Sequence, residues 1–143
     1  MAQSIVFDFL EEQVPPFDFE ETKIITWLES VALAEAKIIA KLQYYFCSDA
    51  QLLDLNLQYL QHDTLTDIIT FPYDTDPIEA EIYISLDRVM ENAKTYSNGD
   101  YFLELNRVLV HGLLHMCGYN DHSLEEQEII RDKESHYLEK LIS

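Results

Sequence analysis

The feature that most constrains this fold is the run His111 to His122, which carries three of the chain's five histidines. Apolar residues recur at helical spacing from about Tyr101 to Cys117, which predicts a helix. On that helix His111 and His115 lie four residues apart and therefore share one face. Gly118 follows and is typical of a helix end, after which the chain can turn back. The run therefore predicts a helix end with two imidazoles beside it.

Two imidazoles at this spacing are typical of a metal site, and a third donor can come from Asp121 or His122 as the chain returns. Imidazole suits one zinc ion first, with other divalent transition metals as alternatives. Three protein ligands leave a fourth position for water, which is the arrangement of catalytic zinc. Metallopeptidases have a general-base glutamate directly after the first histidine. Here that residue is Gly112, which disfavours peptide hydrolysis.

Two charged residues lie upstream on the same helical face, Arg107 and Glu104. A functional interpretation makes Arg107 a catalytic residue that binds a phosphate and its transition-state charge. It makes Glu104 the residue that orients a histidine. The alternative is that both are charges at the border between core and solvent.

The composition limits the partners and the compartment. Nine Lys and Arg against 27 Asp and Glu give a formal net charge of −18, which opposes DNA and non-specific nucleic-acid binding. An RNA substrate would therefore be held locally, by a metal or a partner protein. No stretch approaches the ~20 apolar residues of a membrane span, and Met1–Asp8 lacks the features of a signal peptide. Cys47 and Cys117 are too few for a disulfide framework, which favours a reducing cytoplasm.

Local patterns predict strands and helices interspersed without strict alternation. We therefore expect a single α+β domain over residues 1–143, with a mixed sheet of about four strands, about five helices and the metal site at the end of a central helix. Strands are predicted at 4–10, 37–47, 67–73 and 80–86, and helices at 19–36, 49–60, 86–97, 101–117 and from 123 onward. Pro72 indicates a strand end or a sheet edge, and Ser123 to Glu126 form a capping-box sequence.

The histidine run resembles the His-Gly-x-Leu-His-x-x-Gly-Tyr-Asp-His signature of the YbeY family, bacterial metal-dependent endoribonucleases of ribosomal RNA maturation. Leu55-Asn56 followed by the segment Thr66 to Pro72 resembles a second block of that family, and Glu81 to Ser85 a weaker third. The resemblance implies an α+β domain with one zinc ion on three histidines. It also implies processing of the 3′ end of small-subunit (16S) ribosomal RNA and a role in ribosome quality control, with ribosomal RNA precursor, ribosomal proteins or the small subunit as partners.

Two departures from the family pattern bear on the site. Asn120 looks like an insertion, so the third ligand falls on Asp121 without a gap and on His122 with one. We favour His122, because nitrogen donors dominate such sites, and keep Asp121 as the alternative. The family often has an arginine implicated in RNA cleavage where this chain has Leu60. Arg107 is then the candidate substitute.

The acidic composition supports a second hypothesis. A metal-binding ribosome-assembly factor without nuclease activity could dock on basic ribosomal proteins, which an acidic surface attracts more than bare RNA.

Overall fold

The computed structural model describes residues 4–60 and 66–142 of the chain. The strands in these ranges are β1 (Ile5–Phe9), β2 (Ile39–Cys47), β3 (Ile68–Thr75) and β4 (Ile78–Ser85). The helices are α1 (Glu21–Ala34), α2 (Asp49–Leu55), α3 (Leu86–Tyr96), α4 (Tyr101–Met116) and α5 (Leu124–Ile142), with a 3-10 turn at Leu10–Glu12 and a π-helical turn at Asn56–Leu60. The predicted α+β class is confirmed. None of the helices in the described ranges combines the length and apolar character needed to cross a membrane.

The four strands form one mixed sheet in the order β1-β2-β4-β3. β2 pairs in parallel with both β1 and β4, while β3 pairs antiparallel with β4. The parallel β1–β2 pair follows from α1, which provides the crossover that parallel neighbours need. β3 is an edge strand, so Pro72 can lie within it without removing a hydrogen bond from the interior of the sheet. The predicted edge position of Pro72 is confirmed.

The main core lies between one face of the sheet and α1, α4 and α5. Tyr44, Phe46 and Ile82 of the sheet are fully buried, as are Leu28 of α1 and Leu109 of α4. Burying a side chain of this size contributes about 1.5–3 kcal/mol. The hydroxyl of Tyr44 donates to the backbone oxygen of Leu109 at 2.8 Å, which pairs two polar groups inside this core.

Gly112 allows α4 to approach the sheet closely. A Cβ at this position would lie 2.9 Å from Cδ1 of Ile82 and 3.1 Å from Cδ1 of Ile68, closer than ordinary van der Waals contact. The packing therefore explains a glycine where a metallopeptidase would have its general base. It also places the neighbouring His111 beside β3.

Candidate metal centre

α4 ends in a hydrogen-bond pattern that turns the chain back towards the histidines. The N–H of Tyr119 donates to the oxygen of Leu114 at 3.1 Å, and the N–H of Gly118 donates to the oxygen of His115 at 3.1 Å. These are the two bonds of a Schellman motif. Gly118 has a φ of 106°, which a residue with a Cβ rarely adopts. The predicted helix end at Gly118 is confirmed, and the turn brings Asp121 back to the two imidazoles.

Three donor atoms form a small triangle at this end of α4. Nε2 of His111 lies 3.0 Å from Nε2 of His115. Oδ2 of Asp121 lies 3.6 Å from the first nitrogen and 3.4 Å from the second. A tetrahedral ion with bonds of about 2.0–2.1 Å separates its ligand atoms by about 3.3 Å. The spacing of the three side chains, each half-buried, therefore fits one ion of the size of zinc.

His122, favoured from the sequence as the third ligand, is exposed and lies outside this group of donor atoms. It adjoins Asp121 in the non-helical segment between α4 and α5. The carboxylate of Asp121 faces the histidines, whereas the His122 side chain is exposed. In this geometry the alternative, Asp121, occupies the third position.

Glu134 of α5 connects the donor group to an arginine. Its Oε2 lies 2.5 Å from Nδ1 of His111, and its Oε1 accepts a hydrogen bond of 3.1 Å from Nη1 of Arg107. The Glu134 side chain is only 4% exposed. Burial lowers the pKa of His111, but the hydrogen bond and charge of Glu134 outweigh it, so this pKa is raised. A carboxylate that holds Nδ1–H leaves Nε2 available as a metal donor.

The carboxylate that contacts His111 is therefore Glu134, which was not among the site residues predicted from the sequence. Glu104, the predicted orienting residue, instead accepts a hydrogen bond of 2.8 Å from the hydroxyl of Ser97. A signal for Glu134 was present in the sequence, because it lies four residues after Ile130 and four before Leu138. A carboxylate on the buried face of a helix requires a polar or charged partner.

Two cavities meet at the donor group. The first, of about 390 Å³, lies between α4 and α5 and is lined by Arg107 and Arg131, among others. The second, of about 810 Å³, is lined by Thr66, Thr70 and His115. Asp67 lines both. Burial raises its pKa, and its carboxylate accepts a hydrogen bond of 3.5 Å from Asn92.

The remaining site predictions concern arginine. Arg107 lines the first cavity, as a phosphate-binding residue should, but it is already paired with Glu134 and contacts the Ser135 hydroxyl at 3.4 Å. Leu60 stands where the family often has an arginine, and its side chain lies outside the described part of the structure.

Comparison with known proteins places these features in a family. Residues 10–142 match the family model described as Endoribonuclease YbeY. The chain is 48% identical over 141 residues to an Endoribonuclease YbeY of Amoebophilus asiaticus, an alignment that covers 96% of this chain and 94% of that protein. It is 40% identical over 134 residues to an Endoribonuclease YbeY of Phocaeicola vulgatus, covering 93% and 96%.

The fold also resembles a solved structure. The solution structure of TM1509 from Thermotoga maritima aligns with a TM-score of 0.64 and 25% sequence identity, covering 96% of this chain and 88% of that one.

Proposed function

The chain belongs to the YbeY endoribonuclease family, and from this we propose that it cleaves single-stranded RNA with a metal ion held by His111, His115 and Asp121. The observation that carries the proposal is the triangle of donor atoms, with separations of 3.0, 3.4 and 3.6 Å. We propose zinc as the ion, because two imidazole nitrogens and one carboxylate oxygen are all donors that zinc accepts. Another divalent transition metal is the alternative.

Each residue of the site has a distinct task in this proposal. An ion held by His111, His115 and Asp121 would supply Lewis-acid polarisation of a phosphate oxygen and would lower the pKa of a water molecule. Glu134 keeps the proton of His111 on Nδ1 and holds the imidazole in one orientation. Arg107 lines the cavity beside the donor group, where its guanidinium would stabilise the charge that develops on the phosphate. Glu134 in turn fixes the position of Arg107.

We further propose that the substrate is a precursor of small-subunit (16S) ribosomal RNA, cleaved during maturation of its 3′ end, and that the activity also serves ribosome quality control. The support is the resemblance of the three sequence blocks to the family. The acidic surface supports docking on basic ribosomal proteins or on the small subunit, because opposite charges steer such encounters. In this proposal docking accompanies cleavage and does not replace it. Two cysteines without a disulfide support a cytoplasmic location.

A cleavage assay tests the nuclease activity. Purified protein is incubated with zinc and an end-labelled precursor that contains the 3′ end of 16S ribosomal RNA. Wild-type protein should cleave this RNA, a chelator should abolish cleavage, and His115→Ala should abolish it as well. Equal rates for wild type and His115→Ala would overturn the proposal.

The third ligand is tested by metal analysis of two neighbouring variants. Asp121→Asn keeps the size of the side chain but loses the charged donor, so it should retain much less than one equivalent of zinc after dialysis. His122→Ala is the matched control, because its imidazole lies outside the donor group, and it should retain zinc like wild type. The opposite pattern would return the third position to His122.

A further inference from the structure

Within the part of the chain that the structure describes, lysine or arginine lines only one of the two cavities beside the donor group. Among the described residues, the cavity between α4 and α5 has Arg107 and Arg131 on its walls. The other cavity has no lysine or arginine among the described residues that line it. The chain has nine lysines and arginines in all, and two of these nine line this one small cavity. The two sides of the donor group therefore differ in what they can bind.

The two arginines are not equivalent. Arg107 is only 16% exposed and its guanidinium is engaged by Glu134 and Ser135. Arg131 lies on α5, three residues before Glu134 and on the same face, and it is exposed. Within residues 4–60 and 66–142, Arg131 makes no hydrogen bond or ion pair. It is therefore a cation on the wall of this cavity whose charge the protein leaves unpaired.

Four carboxylates lie on the same walls, and one of them, Asp67, accepts a hydrogen bond from the Asn92 amide. Glu134 is paired with Arg107 and His111, and Glu104 accepts a hydrogen bond from Ser97. Asp121 belongs to the metal-donor group. Among the described residues, an anion that enters the cavity meets Arg131 as a cation without an ion-pair partner, with Ile68, Val108 and Ile130 as apolar walls.

We propose that this cavity is the subsite for a nucleotide adjacent to the cleaved bond of a single-stranded RNA, and that Arg131 binds its phosphate. The inference rests on the proposed function and deepens it. A guanidinium binds phosphate with two parallel hydrogen bonds, and a volume of about 390 Å³ lies within the ~300–1,000 Å³ typical of small-ligand sites. Arg131 is a positioning residue, because it binds a phosphate other than the one that reacts.

This arrangement gives the substrate a direction. One side of the cleaved bond is held by charge, in the cavity with Arg131. The other side passes along Thr66, Thr70 and Asn120, which offer hydrogen bonds without charge. Neutralising a single phosphate should therefore weaken binding on one side of the cleaved bond only.

The salt dependence of binding tests the contact with Arg131. The probe is a fluorescein-labelled oligouridylate of ten 2′-O-methyl nucleotides, titrated with zinc-loaded protein and followed by anisotropy at several salt concentrations. Arg131→Gln should raise Kd about tenfold at low salt, as expected for a lost charge-assisted hydrogen bond. It should also reduce the slope of log Kd against log salt by about 0.7, the value for one phosphate of a single strand.

The matched control is Lys23→Gln, which makes the same charge change on α1, away from both cavities. It should leave the slope unchanged, whereas Arg131→Lys should restore most of it. In cleavage assays Arg131→Gln should raise KM with little change in kcat, because the reacting atoms are held by other residues. Besides the reacting phosphate, methylphosphonate substitution should weaken wild-type binding at one neighbouring phosphate, and this second effect should be absent in Arg131→Gln.

The outcomes separate this inference from the function on which it rests. Absence of RNA cleavage by the wild-type protein would overturn the proposed function. Cleavage by the wild type with equal salt slopes and equal KM in Arg131→Gln and Lys23→Gln would overturn only the subsite. A methylphosphonate effect at the neighbouring phosphate that persists in Arg131→Gln would also overturn it.

Discussion

Replacement of Glu134 by glutamine tests how the metal centre is held. Alanine is unsuitable, because removing one partner of a buried ion pair costs about 3–5 kcal/mol of folding free energy. Glutamine keeps the volume but has one carbonyl oxygen where the carboxylate uses two, one for Arg107 and one for His111. If that oxygen stays with the guanidinium, the amide NH₂ faces Nδ1 and favours the imidazole tautomer with its proton on Nε2. Nε2 is the atom in the donor triangle.

The expected effect is a loss of metal affinity. Removing the outer partner of a histidine ligand typically weakens metal binding 10- to 100-fold, which corresponds to about 1.4–2.8 kcal/mol. The assay is calorimetric titration of zinc into chelator-stripped protein, with urea unfolding to verify that the variant is folded. Glu104→Gln is the matched control, because it makes the same change on a wall of the same cavity without a contact to His111. A folded Glu134→Gln protein with wild-type zinc affinity would refute the argument, and so would equal losses in both variants.

Three further predictions concern the fold around the site. Gly112→Ala should lower the free energy of unfolding by about 1 kcal/mol, since overpacking against Ile82 costs ~1–3 kcal/mol and the better helix propensity returns about 1 kcal/mol. A urea midpoint higher than that of the wild type would contradict this prediction. Gly118→Ala should cost about 1 kcal/mol or more, because φ is 106°, and an unchanged midpoint would contradict it. Burial opposes but does not reverse the lowering of the pKa of Glu35 by Tyr137, Tyr119 and Lys133. The ionised Glu35 carboxylate therefore stabilises the fold at pH values above its ordinary pKa of 4.5, and this contribution is lost as the pH falls through its lower pKa in the folded state. Glu35→Gln should consequently destabilise the protein at pH 7 more than at pH 3.

Helix ends were predictable from the sequence because their signals are local. Gly118 ends α4 through two hydrogen bonds within six residues of chain. Ser123 begins α5 through a reciprocal pair with Glu126, with bonds of 3.0 and 3.1 Å. Each motif depends on a few consecutive residues, and the end at Gly118 depends also on the φ that a glycine can adopt. The spacing of His111 and His115 is local in the same sense, so their approach could be predicted as well.

No local sequence signal distinguishes Asp121 from His122 as the third donor. Both residues lie in the non-helical segment before α5, and periodicity gives no orientation for side chains in such a segment. The sequence comparison turned on where a gap is placed, and the preference for nitrogen donors favoured His122. In the structure the path from Gly118 to α5 brings Oδ2 of Asp121 to the imidazoles. The preference for nitrogen donors could not predict this path of the backbone.

The contact between Glu134 and His111 depends on the packing of two helices, and so does the strand order. Residues 23 positions apart meet because α5 packs on α4. The apolar spacing of α5 indicates that Glu134 is buried but not which helix it faces. Likewise, alternating patterns predicted four strands, but the order β1-β2-β4-β3 depends on pairing between distant segments. Tertiary contacts of this kind have no local sequence signal.

The acidic surface of the chain limits how the proposed nuclease can hold RNA. A duplex presents one phosphate charge per ~1.7 Å of its axis, so a net charge of −18 repels it along its whole length. A single strand that enters a cavity brings only a few phosphates close, and under the proposals above these would meet a divalent ion, Arg107 and Arg131. With one or two phosphate contacts its affinity is modest. In the proposed function a partner then selects the target, since an acidic surface that repels RNA favours docking on basic proteins. In this proposal docking on a partner therefore determines which RNA is bound, and the cavity determines which of its bonds is cleaved.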